Sequence, residues 1–156
     1  MDKLEEYRKK IEGTNIDPVS FLSTDYFNTF NSVIMLIDML KDDHTLLEEI
    51  ENWEFLTYLE HFQQSTLDFA PLAIELYDYA PKDTRDALEK TAYKLKEMIE
   101  SVPDIMRQKL DAETDTNEFT YAASLLAEQI KSLIETGNSI IHKNTLAVQD
   151  EIDKLF

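Results

Sequence analysis

The chain has 156 residues, a length typical of a single domain with its own core. Its formal net charge of −17 argues against nucleic-acid binding and against anionic membrane surfaces, because both need clustered Lys and Arg side chains. The absence of cysteine excludes disulfides, thiolate metal sites and thiol nucleophiles, and it fits a reducing cytosol. With only two glycines, the chain has little turn chemistry for a β-sandwich or barrel, so we expect an all-α fold.

The N-terminal part of the chain consists of a charged opening segment and one predicted long helix. Residues 2 to 12 form a charged segment that Gly13 ends, and this start lacks the apolar core of a signal peptide. Asp17 and Pro18 have the sequence of an N-cap followed by a first helical turn. Apolar residues spaced by three and four then predict a core helix over residues 18 to 40. The stripe consists of Tyr26, Phe30, Val33, Ile37 and Leu40.

The middle of the chain is less regular. Residues 45 to 64 predict either one helix or two short ones on either side of Asn52 and Trp53. Residues 67 to 79 predict a further helix, with Pro71 in its first turn.

Two long helices follow. Apolar side chains at helical spacing predict a helix over residues 83 to 111, which Pro103 should kink or split because proline lacks an N–H donor. A second stripe predicts a helix over residues 116 to 142. Gly137 lies inside this last helix, where glycine lowers helix stability, so we expect a close contact with another helix there.

Long amphipathic helices joined by short polar links imply an antiparallel helical bundle of about four main helices plus short helices. We expect residues 1–143 to form this domain and residues 144–156 to form a separate C-terminal peptide. No apolar run approaches the length of a membrane span, so we expect a cytoplasmic protein. His44, His61 and His142 are scattered, and no Glu-x-x-His pair occurs, so we expect no metal site.

The C-terminal peptide carries the most specific pattern in the chain. Ile152, Leu155 and Phe156 have spacings that place them on one side of a helical turn or two. Helix nucleation is costly and short isolated helices are marginal in water, so we expect this segment to fold on a partner protein.

The order of residues in this peptide resembles the CheY-binding peptides of bacterial chemotaxis. The flagellar motor switch protein that binds phosphorylated CheY begins with Gln-x-Glu-Ile-Asp-x-Leu-Leu, and CheZ phosphatases end in a related Gln-Asp-Gln-Val-Asp-Asp-Leu-Leu peptide. The matching positions here are Gln149, Glu151, Ile152, Asp153, Leu155 and Phe156. Their place at the C-terminus favours the CheZ-like arrangement. The alternative is an acidic amphipathic segment that caps the bundle.

The resemblance also implies a catalytic device. Phosphatases of the CheZ and CheC/CheX types use an acidic residue and an amide residue about one helical turn apart on an exposed helix. The amide orients the attacking water at the receiver's aspartyl phosphate, and the carboxylate pairs with a lysine of the receiver. The receiver supplies Mg2+, so the resemblance implies no cofactor of this chain's own. CheZ-like proteins are dimeric bundles, and a homodimer through a remaining apolar face is compatible with this sequence.

Asp25 and Asn28 supply an acid and an amide near the start of the predicted long helix. Residues i and i+3 have Cβ atoms roughly 5 to 6 Å apart on one helix face, so both side chains can reach one phosphoryl group. This spacing matches the CheC/CheX pattern, whereas the CheZ pattern separates its aspartate and glutamine by four positions. The alternative is that Asp25 complements the helix dipole, with Ser23 or Thr24 as a cap, and that Asn28 is a solvated surface amide.

A second candidate pair ranks below the first. Glu60 has an amide at both i+3 and i+4, Gln63 and Gln64, and the separation of Glu60 from Gln64 equals that of the CheZ pair. The flanking helix is shorter, and polar residues also accumulate at helix ends for structural reasons alone.

Two functions from different classes follow. The first is a CheZ-like phosphatase that holds a phosphorylated CheY-type response regulator with its C-terminal peptide and promotes hydrolysis of the aspartyl phosphate with Asp25 and Asn28. The second is an acidic helical adaptor or chaperone that binds a receiver or another protein without turnover.

Overall fold

A computed structural model describes residues 2–112 and 115–142 of the chain. These residues contain seven α-helices and two short 3-10 helices, and within them there is no extended strand. The predicted all-α fold is therefore confirmed. The predicted C-terminal docking peptide, residues 144–156, lies outside the described residues.

The first helix, α1 (Lys3–Ile11), lies within the charged segment at the start of the chain. The Asp2 carboxylate accepts a hydrogen bond from the Glu5 N–H at 2.8 Å, which satisfies one of the free donors of the first turn. Gly13 follows with a φ of 80°, a conformation that glycine adopts without strain.

The predicted helix over residues 18 to 40 is wrong in its first part, because residues 17–23 form a loop. Asp17 accepts hydrogen bonds from the backbone N–H groups two and three positions later, at 2.8 and 3.0 Å, and Phe21 has a φ of 60°. An aspartate that closes its own turn competes with helix formation, so the Asp-Pro pair does not begin a helix. A 3-10 helix (Thr24–Phe30) follows and leads directly into α2 (Asn31–Met39).

The middle of the chain consists of short helices. The segment 45–64 forms two of them, α3 (Leu46–Glu51) and α4 (Tyr58–Gln64), as one of the two alternatives predicted. The predicted helix over 67–79 consists of α5 (Ala70–Leu76), which has Pro71 in its first turn, and a 3-10 turn (Tyr77–Tyr79).

Two long helices, α6 (Lys82–Asp111) and α7 (Thr116–His142), complete the described fold. Pro103 lies inside α6 and does not split it, because Val102, Pro103 and Met106 all belong to the buried face of the helix. A short link joins α6 to α7, and the two helices pack extensively against each other as an antiparallel hairpin. No helix among the described residues is long and apolar enough to cross a membrane.

The short helices pack onto this hairpin. Helix α2 packs on α7 and α3, α3 packs on α6, and the 3-10 helix over Thr24–Phe30 contacts α2, α4 and α7. A Cβ atom on Gly137 of α7 would overlap the ring of Phe27, which lies on that 3-10 helix. The predicted close contact at Gly137 is therefore confirmed, and it fixes the 3-10 helix against α7.

Candidate functional site

The first candidate pair lies on the 3-10 helix. Ser23 caps this helix, since its Oγ accepts a hydrogen bond from the Asp25 N–H at 3.2 Å. A 3-10 helix has three residues per turn, so side chains at i and i+3 lie in line along its axis. Asp25 and Asn28 have this spacing, and Asn31, the first residue of α2, follows three positions later. Asn31 Nδ2 donates to Asn28 Oδ1 at 3.0 Å, and Asn28 Nδ2 donates to Asp25 Oδ1 at 2.9 Å.

His61 of α4 extends this chain of hydrogen bonds. Its Nε2 lies 3.3 Å from Asp25 Oδ2, and the two side chains are only 15% and 18% exposed. The rings of Tyr26 and Phe62 meet the imidazole edge to face, with centroids 5.9 and 4.8 Å away, so neighbouring rings hold His61 in place. Asp25, Asn28, Asn31 and His61 are called the polar column below.

Asn28 is exposed, and hydrogen bonds on both sides fix the orientation of its amide. Its Nδ2 is held by Asp25 and its Oδ1 by Asn31, and the residue is exposed to solvent. A primary amide has two N–H donors and two acceptor lone pairs. One donor and one lone pair are therefore left for a ligand or a water molecule.

Asp25 is less exposed than the acidic residue that the resemblance implies. Both of its carboxylate oxygens are engaged, Oδ1 by Asn28 and Oδ2 by His61. Its side chain is mostly buried, whereas Asn28 is exposed. The Asp25 carboxylate is therefore placed to orient the Asn28 amide and is little exposed to a partner.

Glu60 of the second candidate pair has a structural role at the start of α4. It forms a capping box with Thr57: the Glu60 N–H donates to Thr57 Oγ1 at 3.2 Å, and the Thr57 N–H donates to Glu60 Oε1 at 2.9 Å. The hydrogen bonds from the Thr57 backbone and side chain hold the pKa of the Glu60 carboxyl below its usual value. Gln63 and Gln64 are exposed at the other end of α4.

The structure brings the two candidate segments together, because His61 directly follows Glu60 and contacts Asp25. Sequence reasoning missed this contact, which spans 36 positions. One signal was present in the helix itself. His61 follows the buried Tyr58 by three positions, which places it on the same face of α4.

The remaining predicted site residues lie outside the described residues: Gln149, Glu151, Ile152, Asp153, Leu155 and Phe156. Within residues 2–112 and 115–142, no three His, Asp or Glu side chains are grouped so as to hold a metal ion. Comparisons with protein family models, curated proteins and solved structures found no match to the chain.

Proposed function

We propose that this protein binds a phosphorylated CheY-type response regulator and promotes hydrolysis of the receiver's aspartyl phosphate. The observation that supports this proposal is the exposed amide of Asn28, fixed between Asp25 and Asn31. Hydrolysis of a phosphoryl group needs little covalent chemistry from the protein and depends on the position of the attacking water. An amide that is already oriented before the partner arrives meets that requirement.

In this mechanism the free lone pair of Asn28 Oδ1 accepts a hydrogen bond from the attacking water. The water is thereby held in line with the bond that breaks between phosphorus and the receiver's aspartate. The receiver supplies the phosphoryl group and Mg2+. Asp25 acts as a positioning residue through its hydrogen bond to Asn28 Nδ2, and His61 holds Asp25.

The C-terminal peptide serves as a tether in this proposal. Residues 149–156 bind the receiver first. Asn28 then meets the phosphoryl group within the complex that has already formed. Two contacts made by one chain raise the effective concentration of the second contact to about the millimolar range. Removal of residues 144–156 should then weaken receiver binding and raise the protein concentration needed for catalysis.

A second function, an adaptor that binds the receiver without turnover, is favoured by one observation. The Asp25 and His61 side chains are mostly buried and bonded to each other, which is typical of a contact that stabilises the fold. In the adaptor the polar column joins the 3-10 helix to α4, and Asn28 has no role in chemistry.

The decay of phosphorylated CheY-type receivers from the same cell, with and without the protein, tests the proposal. The protein should accelerate decay, and Asn28→Ala should reduce that acceleration by about 10²–10³-fold, the usual cost of one precisely placed polar group. Binding to a receiver carrying a beryllofluoride phosphoryl mimic should be unchanged in this variant. Asn117→Ala, which removes another exposed amide from a helix, is the matched control and should leave decay unchanged.

Three results would decide between the functions. Unchanged decay of every receiver at saturating protein would exclude the phosphatase. Receiver binding without accelerated decay would establish the adaptor. Failure to bind any receiver with the phosphoryl mimic would exclude both.

A further inference from the structure

A cavity of about 240 Å³ lies where α4 and the 3-10 helix face α6. No member of the polar column lines it, so it is separate from the site described above. Five of its ten described lining residues are aromatic: Tyr26, Phe55, Tyr58, Tyr77 and Tyr93. The volume is smaller than that of most pockets for drug-sized molecules, which indicates a small ligand.

Two rings of this cavity are held by hydrogen bonds between their hydroxyl groups and the backbone. Tyr26 donates to the Leu56 carbonyl at 2.7 Å, and Tyr58 accepts from the buried Ser23 N–H at 2.9 Å. With their hydroxyls bonded to the backbone, these two tyrosines contribute mainly ring surface to the cavity. The wall is therefore organised before any ligand enters.

The mouth of the cavity is open to solvent at Tyr93. This side chain is 51% exposed, and its ring centroid lies 5.3 Å from that of Phe55. The floor is closed by Tyr26 and Tyr58, which are 1% and 4% exposed. A ligand thus has a way in and a desolvated place to bind.

The wall of the cavity carries an acidic side chain, Glu89. Glu89 lines the cavity and accepts a hydrogen bond from the Tyr77 hydroxyl at 2.5 Å, which engages one of its two carboxylate oxygens. Among the residues that the structure describes, no Lys or Arg lines the cavity. The Arg85 guanidinium lies over the Tyr77 ring at 5.6 Å without lining the cavity, so a ring of this wall already attracts a cation within the protein.

We propose that this cavity binds a small quaternary or N-methylated ammonium ion. Aromatic faces carry negative potential and attract cations, and the attraction grows when the site is desolvated. An N-methylated ammonium is weakly hydrated and fits apolar rings, whereas an unmethylated ammonium is compact and strongly hydrated. A neutral apolar ligand would desolvate Glu89 without compensation, so the carboxylate favours a cation.

Calorimetric titration of the full chain with choline, and with its neutral carbon isostere 3,3-dimethylbutan-1-ol, tests this proposal. The two ligands have the same shape and differ in charge, so choline should bind at least about tenfold more tightly. A peptide with one trimethyllysine forms a second arm. Tighter binding of the peptide than of choline would assign the trimethylammonium group to a protein side chain, and the reverse would assign it to a free ion.

Matched variants locate the binding site. Tyr93→Ala and Glu89→Gln should each weaken choline binding by about tenfold, while Tyr93→Phe, which keeps the ring, should retain it. Tyr121→Ala removes a tyrosine that is 69% exposed on α7, and Glu97→Gln removes an equal charge from α6 outside the cavity. Both controls should bind choline like the unaltered protein.

Equal affinity for choline and its neutral isostere would overturn the proposal, as would no binding of either cation. An equal loss of affinity in Tyr121→Ala and Tyr93→Ala would also overturn it. Because none of these variants touches Asn28, receiver dephosphorylation should be unaffected, and failure of this proposal is distinguishable from failure of the proposed function.

Discussion

The N-terminal region, residues 2–80, and the hairpin of α6 and α7 are held together by different kinds of side chain. The buried face of α6 is mainly aliphatic and includes Leu88, Leu95, Ile99 and Val102. In the N-terminal region the buried and partly buried groups include a cluster of rings in contact with one another: Tyr26, Phe27, Phe30, Trp53, Phe55, Tyr58 and Phe62. One of the places where the two regions meet is the contact between the ring of Phe27 and Gly137.

This difference explains where the candidate sites lie. Aliphatic packing is non-directional and repeats with the helical period, so it builds long regular helices. Rings with polar tips pack directionally and bond to particular backbone groups, as Tyr58 does to Ser23. The short helices of the N-terminal region are too short to be stable alone and depend on such contacts. Both the polar column and much of the aromatic cavity are built on this region.

Among the substitutions that test this difference, replacement of Phe30 should lower the free energy of unfolding the most. Phe30 is 0% exposed, and its ring contacts those of Tyr26, Trp53 and Phe55. Phe30→Ala should lower the free energy of unfolding by about 3–5 kcal/mol, because it removes buried apolar surface and leaves a cavity. Urea denaturation followed by circular dichroism and by the fluorescence of Trp53 measures the loss.

Conservative variants separate ring packing from simple burial. Phe30→Leu keeps an apolar side chain but loses its ring contacts, each of which contributes about 0.5–1.5 kcal/mol beyond burial. The matched change in the hairpin, Leu95→Met, conserves volume and should cost less than about 1.5 kcal/mol. If Phe30→Leu proved as mild as Leu95→Met, the N-terminal region would not depend on its rings.

The same contrast determines how much of the fold was predictable. The helices over 82–111 and 116–142 follow from apolar residues at helical spacing, since a long helix repeats that signal many times. The loop at 17–23 could not be predicted in this way. An Asp-Pro pair can begin a helix, but an aspartate can also close a turn with its own side chain, as Asp17 does. Pro103 lowers the local preference for helix, and burial on both sides of it decides the outcome.

The candidate site was predictable only in its local part. A spacing of three predicted that Asp25 and Asn28 share a face, and they are bonded. His61 comes from another helix, and its contact with Asp25 depends on how the 3-10 helix packs against α4. Tertiary packing of this kind leaves no regular period in the sequence.

Removal of one hydroxyl tests the directional contacts of the N-terminal region. Tyr58 Oη accepts the Ser23 N–H at 2.9 Å, and burial raises the pKa of this phenol well above its usual value, so it stays neutral. Tyr58→Phe keeps the ring but leaves a buried N–H without its acceptor, which should cost about 1–3 kcal/mol in unfolding free energy. Tyr121→Phe, at an exposed position of α7, should change it by less than about 0.5 kcal/mol. Equal effects in the two variants would contradict a directional role for Tyr58.

The smallest expected effect concerns the loop that replaces the predicted start of the long helix. Burial acts to raise the pKa of the Asp17 carboxyl, but hydrogen bonds from the Ser20 and Val19 N–H groups and from His142 outweigh it and lower the pKa. Asp17→Ala should lower the free energy of unfolding by about 1 kcal/mol at pH 7, because it removes the hydrogen bonds from the Val19 and Ser20 N–H groups that close this turn.

The pH dependence of Asp17→Ala separates the charge of Asp17 from other effects of the substitution. A carboxyl whose pKa is lowered by folding stabilises the protein fully above its unfolded pKa of ~3.9 and loses that contribution as the pH falls through the folded value. The difference in unfolding free energy between the unaltered protein and Asp17→Ala should therefore be present at about pH 5 and should shrink as the pH falls below ~3.9. Asp68→Ala, at an exposed position, is the control and should show little difference at any pH. A difference for Asp17→Ala that stayed constant down to pH 2 would mean that the carboxylate charge does not hold this turn, and the loop would then owe its conformation to the burial of Phe21 and Leu22 alone.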